Sequence, residues 1–180
     1  MAHTIERASS GRSRCKGCSR NIAKGELRFG ERLPSLYGDG DMTLWFHINC
    51  ATCRRPESLF SYLQENDAPA PPVDGEPDSG KPQVDRALLD FCQAHRRVQQ
   101  IVGAEPASSG RARCRHCREP IAKDTWRIPL TFFEEGTFNP SGFVHIACVA
   151  AFFETREIVP ILRHLTDLTD DVMAEIKLLI

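Results

Sequence analysis

The chain has 180 residues, of which 41% are hydrophobic, and its formal net charge at pH 7 is −1. It contains no run of about 18 apolar residues, the length that a membrane-spanning helix requires. Residues 1–14 also lack the apolar core of a secretory signal. We therefore expect neither a membrane partner nor a secreted protein.

The charge is distributed unevenly, and the local values matter more than the total. Residues 1–55 carry a net charge of +5 and residues 86–150 carry +3. Residues 56–85 carry −6 and residues 151–180 carry −3. Because a polyanion responds to a local basic patch, the near-zero total does not argue against binding to a nucleic acid.

Residues 1–65 are predicted to form a first finger domain with two short strands and a helix. Alternating polar and apolar residues predict one strand over 26–30 and another over 43–46. Proline and glycine predict a loop over 33–41 between them. A short helix is expected to follow, because residues three apart lie on one helical face.

The middle of the chain changes in composition twice. Residues 66–83 are rich in proline, glycine and acidic residues, which is typical of a flexible linker. Helical spacing of apolar residues then predicts a linker helix over 84–103, which we expect to pack against the C-terminal domain.

Residues 104–180 are predicted to form a second finger domain with a helical extension. Two helices are expected in its tail, over 146–156 and 169–180. Thr169 is suited to cap the second of them, with acidic residues in the first turn.

The same four-residue metal-binding pattern occurs twice, 99 residues apart. A Cys-x2-Cys pair and a His-x2-Cys pair are separated by 28 residues in the first copy and 27 in the second. Three thiolates and one imidazole complete the tetrahedral shell of Zn²⁺, and a complete shell is typical of structural zinc. We therefore predict two structural Zn²⁺ ions. The predicted ligands are Cys15, Cys18, His47, Cys50, Cys114, Cys117, His145 and Cys148.

Two cysteines lie outside this pattern, Cys53 and Cys92. Cys53 forms a further Cys-x2-Cys pair with Cys50, but Ala151 occupies the matching position of the second copy, so we expect Cys53 not to bind the metal. Zinc thiolates favour a reducing compartment. We therefore expect an intracellular protein, nuclear in a eukaryote and cytoplasmic or nucleoid-associated in a bacterium.

The sequence gives no indication of an enzyme. A catalytic zinc ion requires an open coordination position, and four protein ligands leave none. The chain also lacks a recognisable grouping of nucleophilic or acid–base residues. We therefore predict a binding protein without catalytic activity.

The pattern SGRSRCKGC…IAKGELRFG…LWFHINC resembles the zinc finger of poly(ADP-ribose) polymerases, which is also found at the start of one animal DNA ligase. The resemblance covers about residues 5–60 and 105–155. It implies recognition of DNA by structure rather than sequence, at nicks, gaps and ends, in DNA repair or damage signalling. A repair enzyme is the second expected partner. The fold class that we predict is α+β, with two small zinc-stabilised domains that each contain a short antiparallel sheet and a helix.

The resemblance also implies which residues contact DNA. Four arginines at equal offsets from the first cysteine of each copy match phosphate-binding arginines of the family: Arg12, Arg28, Arg111 and Arg127. Apolar residues of the loop before the histidine ligand match residues that stack on an exposed base pair. In this chain they are Leu36, Tyr37 and Met42 in the first copy, and Phe132, Phe133 and Phe138 in the second.

A protein–protein interaction module or adaptor is the alternative. Apolar loop tips also suit a protein partner, and residues 152–180 are amphipathic enough to dock one. Salt dependence distinguishes the two hypotheses, because phosphate contacts weaken steeply with salt and an apolar interface does not.

Overall fold

The computed structural model describes residues 2–35, 38–66 and 84–180. They form two compact units, Met1–Gln93 and Ala94–Ile180. The predicted linker lies outside the described residues except for its first residue, Asn66, at the end of a helix.

The first unit contains a three-stranded antiparallel sheet in the order β1-β2-β3, followed by helices. The strands are β1 (Thr4–Arg7), β2 (Leu27–Pro34) and β3 (Asp41–His47). The helices are α1 (Ile48–Arg54), α2 (Pro56–Glu65) and α3 (Arg86–Ala94), of which the last residue falls in the second unit.

The core of the first unit lies on one face of this sheet. Phe29 and Phe46 are opposite each other on β2 and β3, and both are fully buried. Leu59 of α2 is fully buried as well. The sheet alternation and the helical spacing thus direct apolar side chains to a common core, as expected from binary patterning.

The linker helix differs from the prediction in length and in packing. It ends at Ala94 because His95 leaves the helical conformation (φ −112°, ψ 68°), and a 3₁₀ helix follows at Arg96–Gln100. The thiol of Cys92 on α3 forms a hydrogen bond with the thiol of Cys53 on α1, and both residues are fully buried. α3 therefore packs against the first unit, and our expectation that it packs against the second was wrong.

The second unit repeats the sheet and adds helices. Its antiparallel strands are β4 (Glu105–Pro106), β5 (Trp126–Glu134) and β6 (Thr137–His145), in the order β4-β5-β6. A 3₁₀ helix (Ile146–Cys148) precedes α4 (Val149–Phe153), α5 (Val159–Leu165) and α6 (Asp170–Leu179). Ile128, Val144 and Phe153 are among its most deeply buried residues.

The tail confirms one predicted helix and corrects the other. Thr169 caps α6 and its hydroxyl accepts a hydrogen bond from the amide of Val172 at 3.4 Å. The helix predicted over 146–156 is shorter, because Glu154 adopts a left-handed conformation (φ 62°) and ends α4. α5 was not predicted.

The first hairpin extends further than predicted, because β2 runs to Pro34 and β3 begins at Asp41, both within the loop predicted over 33–41. β5 and β6 are joined by Glu135 and Gly136, which have φ values of 50° and 74°. Two consecutive residues with positive φ are typical of the tight turn that suits the twist of a hairpin.

The predicted α+β class with two small units is confirmed. In the parts of the chain that the structure describes, no helix has the length and apolar character needed to cross a membrane.

Candidate metal centres and their surroundings

The four predicted ligands of the first copy converge. Their ligand atoms all lie within 4.8 Å of one another. His47 Nδ1 is 3.4 Å from Cys18 Sγ and 3.7 Å from Cys50 Sγ, and the backbone amide of His47 is 3.4 Å from Cys15 Sγ. The turn before β2 supplies two cysteines, the end of β3 supplies the histidine, and the first turn of α1 supplies the last cysteine.

The second copy has the same arrangement. Its four ligand atoms also lie within 4.8 Å of one another. His145 Nδ1 is 3.3 Å from Cys117 Sγ and 4.0 Å from Cys148 Sγ. The backbone amide of His145 is 3.4 Å from Cys114 Sγ. Three sulfurs and one nitrogen fit tetrahedral zinc, and the prediction of two structural zinc ions is confirmed.

Each histidine is oriented by a backbone carbonyl on the side away from the thiols. His47 Nε2 lies 3.3 Å from the oxygen of Asn21, and His145 Nε2 lies 3.1 Å from the oxygen of Pro120. When Nδ1 binds a metal, the Nε2–H group donates to that carbonyl, which fixes the ring.

The thiols of the first centre are coupled through hydrogen bonds. The hydrogen bond with Cys50 lowers the pKa of Cys15 to about 3 and that of Cys18 to about 6, while the pKa of Cys50 itself is raised. The hydrogen bond with Cys15 raises the pKa of His47 to about 9. Zinc requires thiolates and a neutral imidazole as ligands, so its binding would release the protons that these hydrogen bonds favour on Cys50 and His47.

Arg28 is buried rather than open to a phosphate. Its side chain is 8% exposed and forms an ion pair with Glu6 at 2.6 Å. Its guanidinium lies 3.6 Å from the ring centroid of Trp45 and donates to the hydroxyl of Ser13 at 2.7 Å. Gly30 leaves room for the indole, because a Cβ there would lie 2.7 Å from Trp45 Cζ3.

Arg127 repeats this arrangement in the second unit. It pairs with Glu105 at 2.6 Å and lies 3.6 Å from the ring centroid of Phe143. The matched contacts explain why the two arginines recur at equal offsets. They leave little guanidinium surface free, so the structure does not support the prediction that Arg28 and Arg127 contact DNA directly.

The other two predicted arginines, Arg12 and Arg111, are exposed. They precede the Cys-x2-Cys turns. The backbones of the two turns are alike: the carbonyl of Cys15 accepts a hydrogen bond from the amide of Ser19 at 2.8 Å, and the carbonyl of Cys114 accepts one from the amide of Arg118 at 2.9 Å. Sequence reasoning overlooked further exposed basic residues on these turns and directly beside them, although the charge count signalled them. They are Arg14 and Lys16 in the first unit, and Arg113, Arg115 and Arg118 in the second.

The predicted stacking residues do not lie on a loop where the structure describes them. Phe132 and Phe133 belong to β5 and Phe138 to β6, next to the hairpin turn. Phe132 is 43% exposed, and the rings of Phe133 and Phe138 are 4.8 Å apart. Met42 is half-buried on β3. Leu36 and Tyr37 lie outside the described residues.

Sequence reasoning also missed Arg54 at the end of α1. This residue is 4% exposed, and its Nη2 donates to the carbonyl of Gly17 at 3.4 Å. Burial lowers the pKa of Arg54 to about 10, so it remains charged at neutral pH beside the thiolates. The second copy has Phe152 at this position, and the repeat therefore gave no signal for it.

Two clusters of three cysteines and one histidine, each joining a hairpin to the helix that follows, define a tandem structural zinc-finger chain. Residues 6–70 match the family described as the Poly(ADP-ribose) polymerase and DNA-Ligase Zn-finger region. This match covers most of the first unit, and the second unit repeats the ligand set and the sheet order of the first.

Three relatives extend the comparison. The chain is 50% identical over 50 residues to a poly [ADP-ribose] polymerase 1 of Caenorhabditis elegans, covering 28% of this chain and 5% of the relative. It is 30% identical over 169 residues to a poly [ADP-ribose] polymerase of Sarcophaga peregrina, covering 81% of this chain and 16% of the relative. It is 24% identical over 180 residues to the polynucleotide 3′-phosphatase ZDP of Arabidopsis thaliana, covering 88% of this chain and 25% of the relative. The chain thus spans a quarter or less of the length of these relatives.

Proposed function

We propose that this chain binds DNA through its two zinc-stabilised units and recognises strand breaks by structure rather than by sequence. The observation that carries the proposal is the repeated placement of exposed basic residues on the Cys-x2-Cys turns and on the residues just before them. Arg12 and Arg111 occupy the same position in the two units. Guanidinium groups bind phosphate oxygens at any sequence, which suits recognition by structure.

Arg28 and Arg127 have an indirect role in this proposal. Arg28 donates to Ser13, which adjoins Arg12, and its guanidinium is held between Glu6 and Trp45. It therefore positions the segment that carries the phosphate-binding arginine. Arg127 contacts Glu105 and Phe143 in the second sheet. It has no counterpart of the hydrogen bond from Arg28 to Ser13, because Ala112 occupies the position of that serine.

The apolar hairpin tip of the second unit supplies break recognition. A strand break exposes the face of a base pair that an intact duplex keeps stacked. Phe132 is exposed beside the Phe133–Phe138 ring pair, and stacking on a base contributes about 1–3 kcal/mol. We assign the corresponding role in the first unit to Leu36, Tyr37 and Met42.

The similarity to a polynucleotide 3′-phosphatase supports a role at polynucleotide ends, since that enzyme acts on a 3′-phosphate of a polynucleotide. In this proposal the chain contributes binding and not catalysis. A repair enzyme is its partner at the break, and the chain resides in the nucleus of a eukaryote or at the nucleoid of a bacterium.

The salt dependence of DNA binding tests the arginine contacts. The double variant Arg12→Ala/Arg111→Ala should reduce the slope of log K against log salt concentration by about 1.8, since each phosphate contact contributes about 0.9. The matched control is Arg32→Ala/Arg156→Ala, which removes one exposed arginine from each unit away from the turns. An equal effect of both variants would show that general charge, and not the turns, binds the DNA.

An adaptor function is the second candidate, because Leu178 on α6 is 88% exposed and Leu179 beside it is 45% exposed. Apolar contacts of this kind predict a protein partner whose affinity is nearly independent of salt. Leu178→Ser should weaken that complex and leave DNA binding unchanged, as measured by titration calorimetry with the partner and by anisotropy with DNA.

A further inference from the structure

The two zinc centres differ in how the protein covers them. In the first unit, α1 lies directly on the turn between the paired cysteines. A Cβ at Gly17 would lie 2.9 Å from Cys50 Cβ and 3.3 Å from Arg54 Cγ. The side chain of Arg54 closes this cover, because its Nη2 bonds the carbonyl of Gly17 at 3.4 Å.

The second centre lacks this cover. His116 occupies the position of the glycine that lies under α1 in the first unit, and its side chain is exposed. Phe152 occupies the position of Arg54, and its ring packs edge-to-face against Phe153 at 4.9 Å. The helix also starts later, since Cys148 lies in a 3₁₀ turn before α4.

The exposure of the ligands follows from this difference. Cys50 is 2% exposed, whereas its counterpart Cys148 is half-buried. Cys18 is half-buried, whereas its counterpart Cys117 is exposed. The second centre therefore leaves one of its four ligand residues, Cys117, exposed to solvent.

The two outer sulfurs also differ in their hydrogen-bond donors. Arg20 Nε donates to Cys18 Sγ at 3.3 Å. Glu119 occupies the matching position beside Cys117 and offers no such donor. An N–H donor withdraws electron density from a metal-bound thiolate and makes it less nucleophilic, so the sulfur of Cys18 is shielded chemically as well as sterically.

We infer that the second centre is the reactive metal site of this chain, at which electrophiles and chelators act first and Cys117 is the sulfur attacked. The first centre keeps its zinc under the same conditions. Because these small units depend on zinc for their fold, the reaction converts a two-finger chain into a one-finger chain.

A two-electron oxidant such as hydrogen peroxide acts through the following steps. The Cys117 thiolate attacks one peroxide oxygen, an S–O bond forms, the O–O bond breaks, and hydroxide leaves. The thiolate of Cys148, whose sulfur lies within 4.8 Å, then attacks the oxidised sulfur. An S–S bond forms, the S–O bond breaks, and a second hydroxide leaves. Two ligands are lost, and the zinc ion is released.

Zinc release and alkylation test the inference on the full chain loaded with two zinc ions. Iodoacetamide is added while a chromogenic chelator reports free zinc, and the alkylated cysteines are mapped by mass spectrometry. We expect two phases of one zinc each, with the faster at least about 10-fold faster because thiolate exposure controls the reaction. Cys117 should be alkylated in the fast phase. A single phase, or early alkylation of Cys18, would overturn the inference.

Two variants assign the phases. Glu119→Arg introduces the donor found in the first centre and should slow the fast phase alone. Arg54→Ala opens the first centre and should accelerate the slow phase alone, while Arg32→Ala, an exposed arginine of β2, should change neither. If Arg54→Ala prevents folding of the first unit, Glu119→Arg still tests the assignment of the fast phase to the second centre. A fast phase that Glu119→Arg leaves unchanged would contradict the shielding of a sulfur by an N–H donor.

Discussion

Replacing Arg28 by alanine should destabilise the first unit rather than simply weaken DNA binding. The guanidinium lies 3.6 Å from the ring centroid of Trp45, and a cation–π contact shielded from water contributes about 2 kcal/mol. The 2.7 Å hydrogen bond to Ser13 contributes about 1 kcal/mol. The ion pair with Glu6, which is 44% exposed, adds only about 0.5 kcal/mol because solvent screens it. We therefore expect a loss of about 3.5 kcal/mol in total.

Urea unfolding of the zinc-loaded chain measures this loss. The chain has two tryptophans, so a Trp126→Phe background leaves Trp45 as the sole indole and its fluorescence reports the first unit. Arg32→Ala on the same strand is the control, and its exposed side chain should change the unfolding free energy by less than about 0.5 kcal/mol. A buried structural role for Arg28 is refuted if Arg28→Ala lowers the unfolding free energy no more than Arg32→Ala does and weakens DNA binding as much as Arg12→Ala does.

Three further predictions concern burial, the metal and the hairpin tip. Glu31 is 1% exposed and bonded to Arg55 at 2.6 Å, so Glu31→Ala should cost about 3–5 kcal/mol by the same urea assay, because it leaves a partly buried cation without its carboxylate. Cys53→Ala should retain two zinc ions per chain by elemental analysis, whereas Cys50→Ala should retain one; one zinc in both variants would make Cys53 a ligand. Phe132→Ala should lower affinity for nicked DNA about 5-fold or more and leave intact duplex unaffected, and an equal loss on both would assign the ring to general binding.

The zinc ligands were predictable from the sequence because zinc restricts both the residue types and their spacing. Thr169 was predictable because its cap involves residues only three apart. The burial of Arg28 was not predictable, since it depends on the strand register that places Gly30 opposite Trp45 and opens space above the ring. A sequence offset specifies which residues recur, but it does not specify what packs over them.

The packing of α3 illustrates the same limit. Helical periodicity identified its apolar face, but periodicity does not specify which domain that face covers. The contact between Cys92 and Cys53 decides this, and it joins residues on either side of the acidic linker. The shortened α4 has a local cause instead, since a non-glycine residue, Glu154, adopts positive φ where the pattern alone predicts a continued helix.

Recognition of strand breaks is tested most directly by comparing a nicked hairpin duplex with its sealed twin. Affinities of the zinc-loaded chain for both are measured by fluorescence anisotropy at one physiological salt concentration, with and without a zinc chelator. We predict about 10-fold or greater preference for the nicked duplex, equivalent to one stacked base, and its loss when zinc is removed. Equal binding to both duplexes would contradict recognition of breaks, and no binding to either would favour the adaptor function.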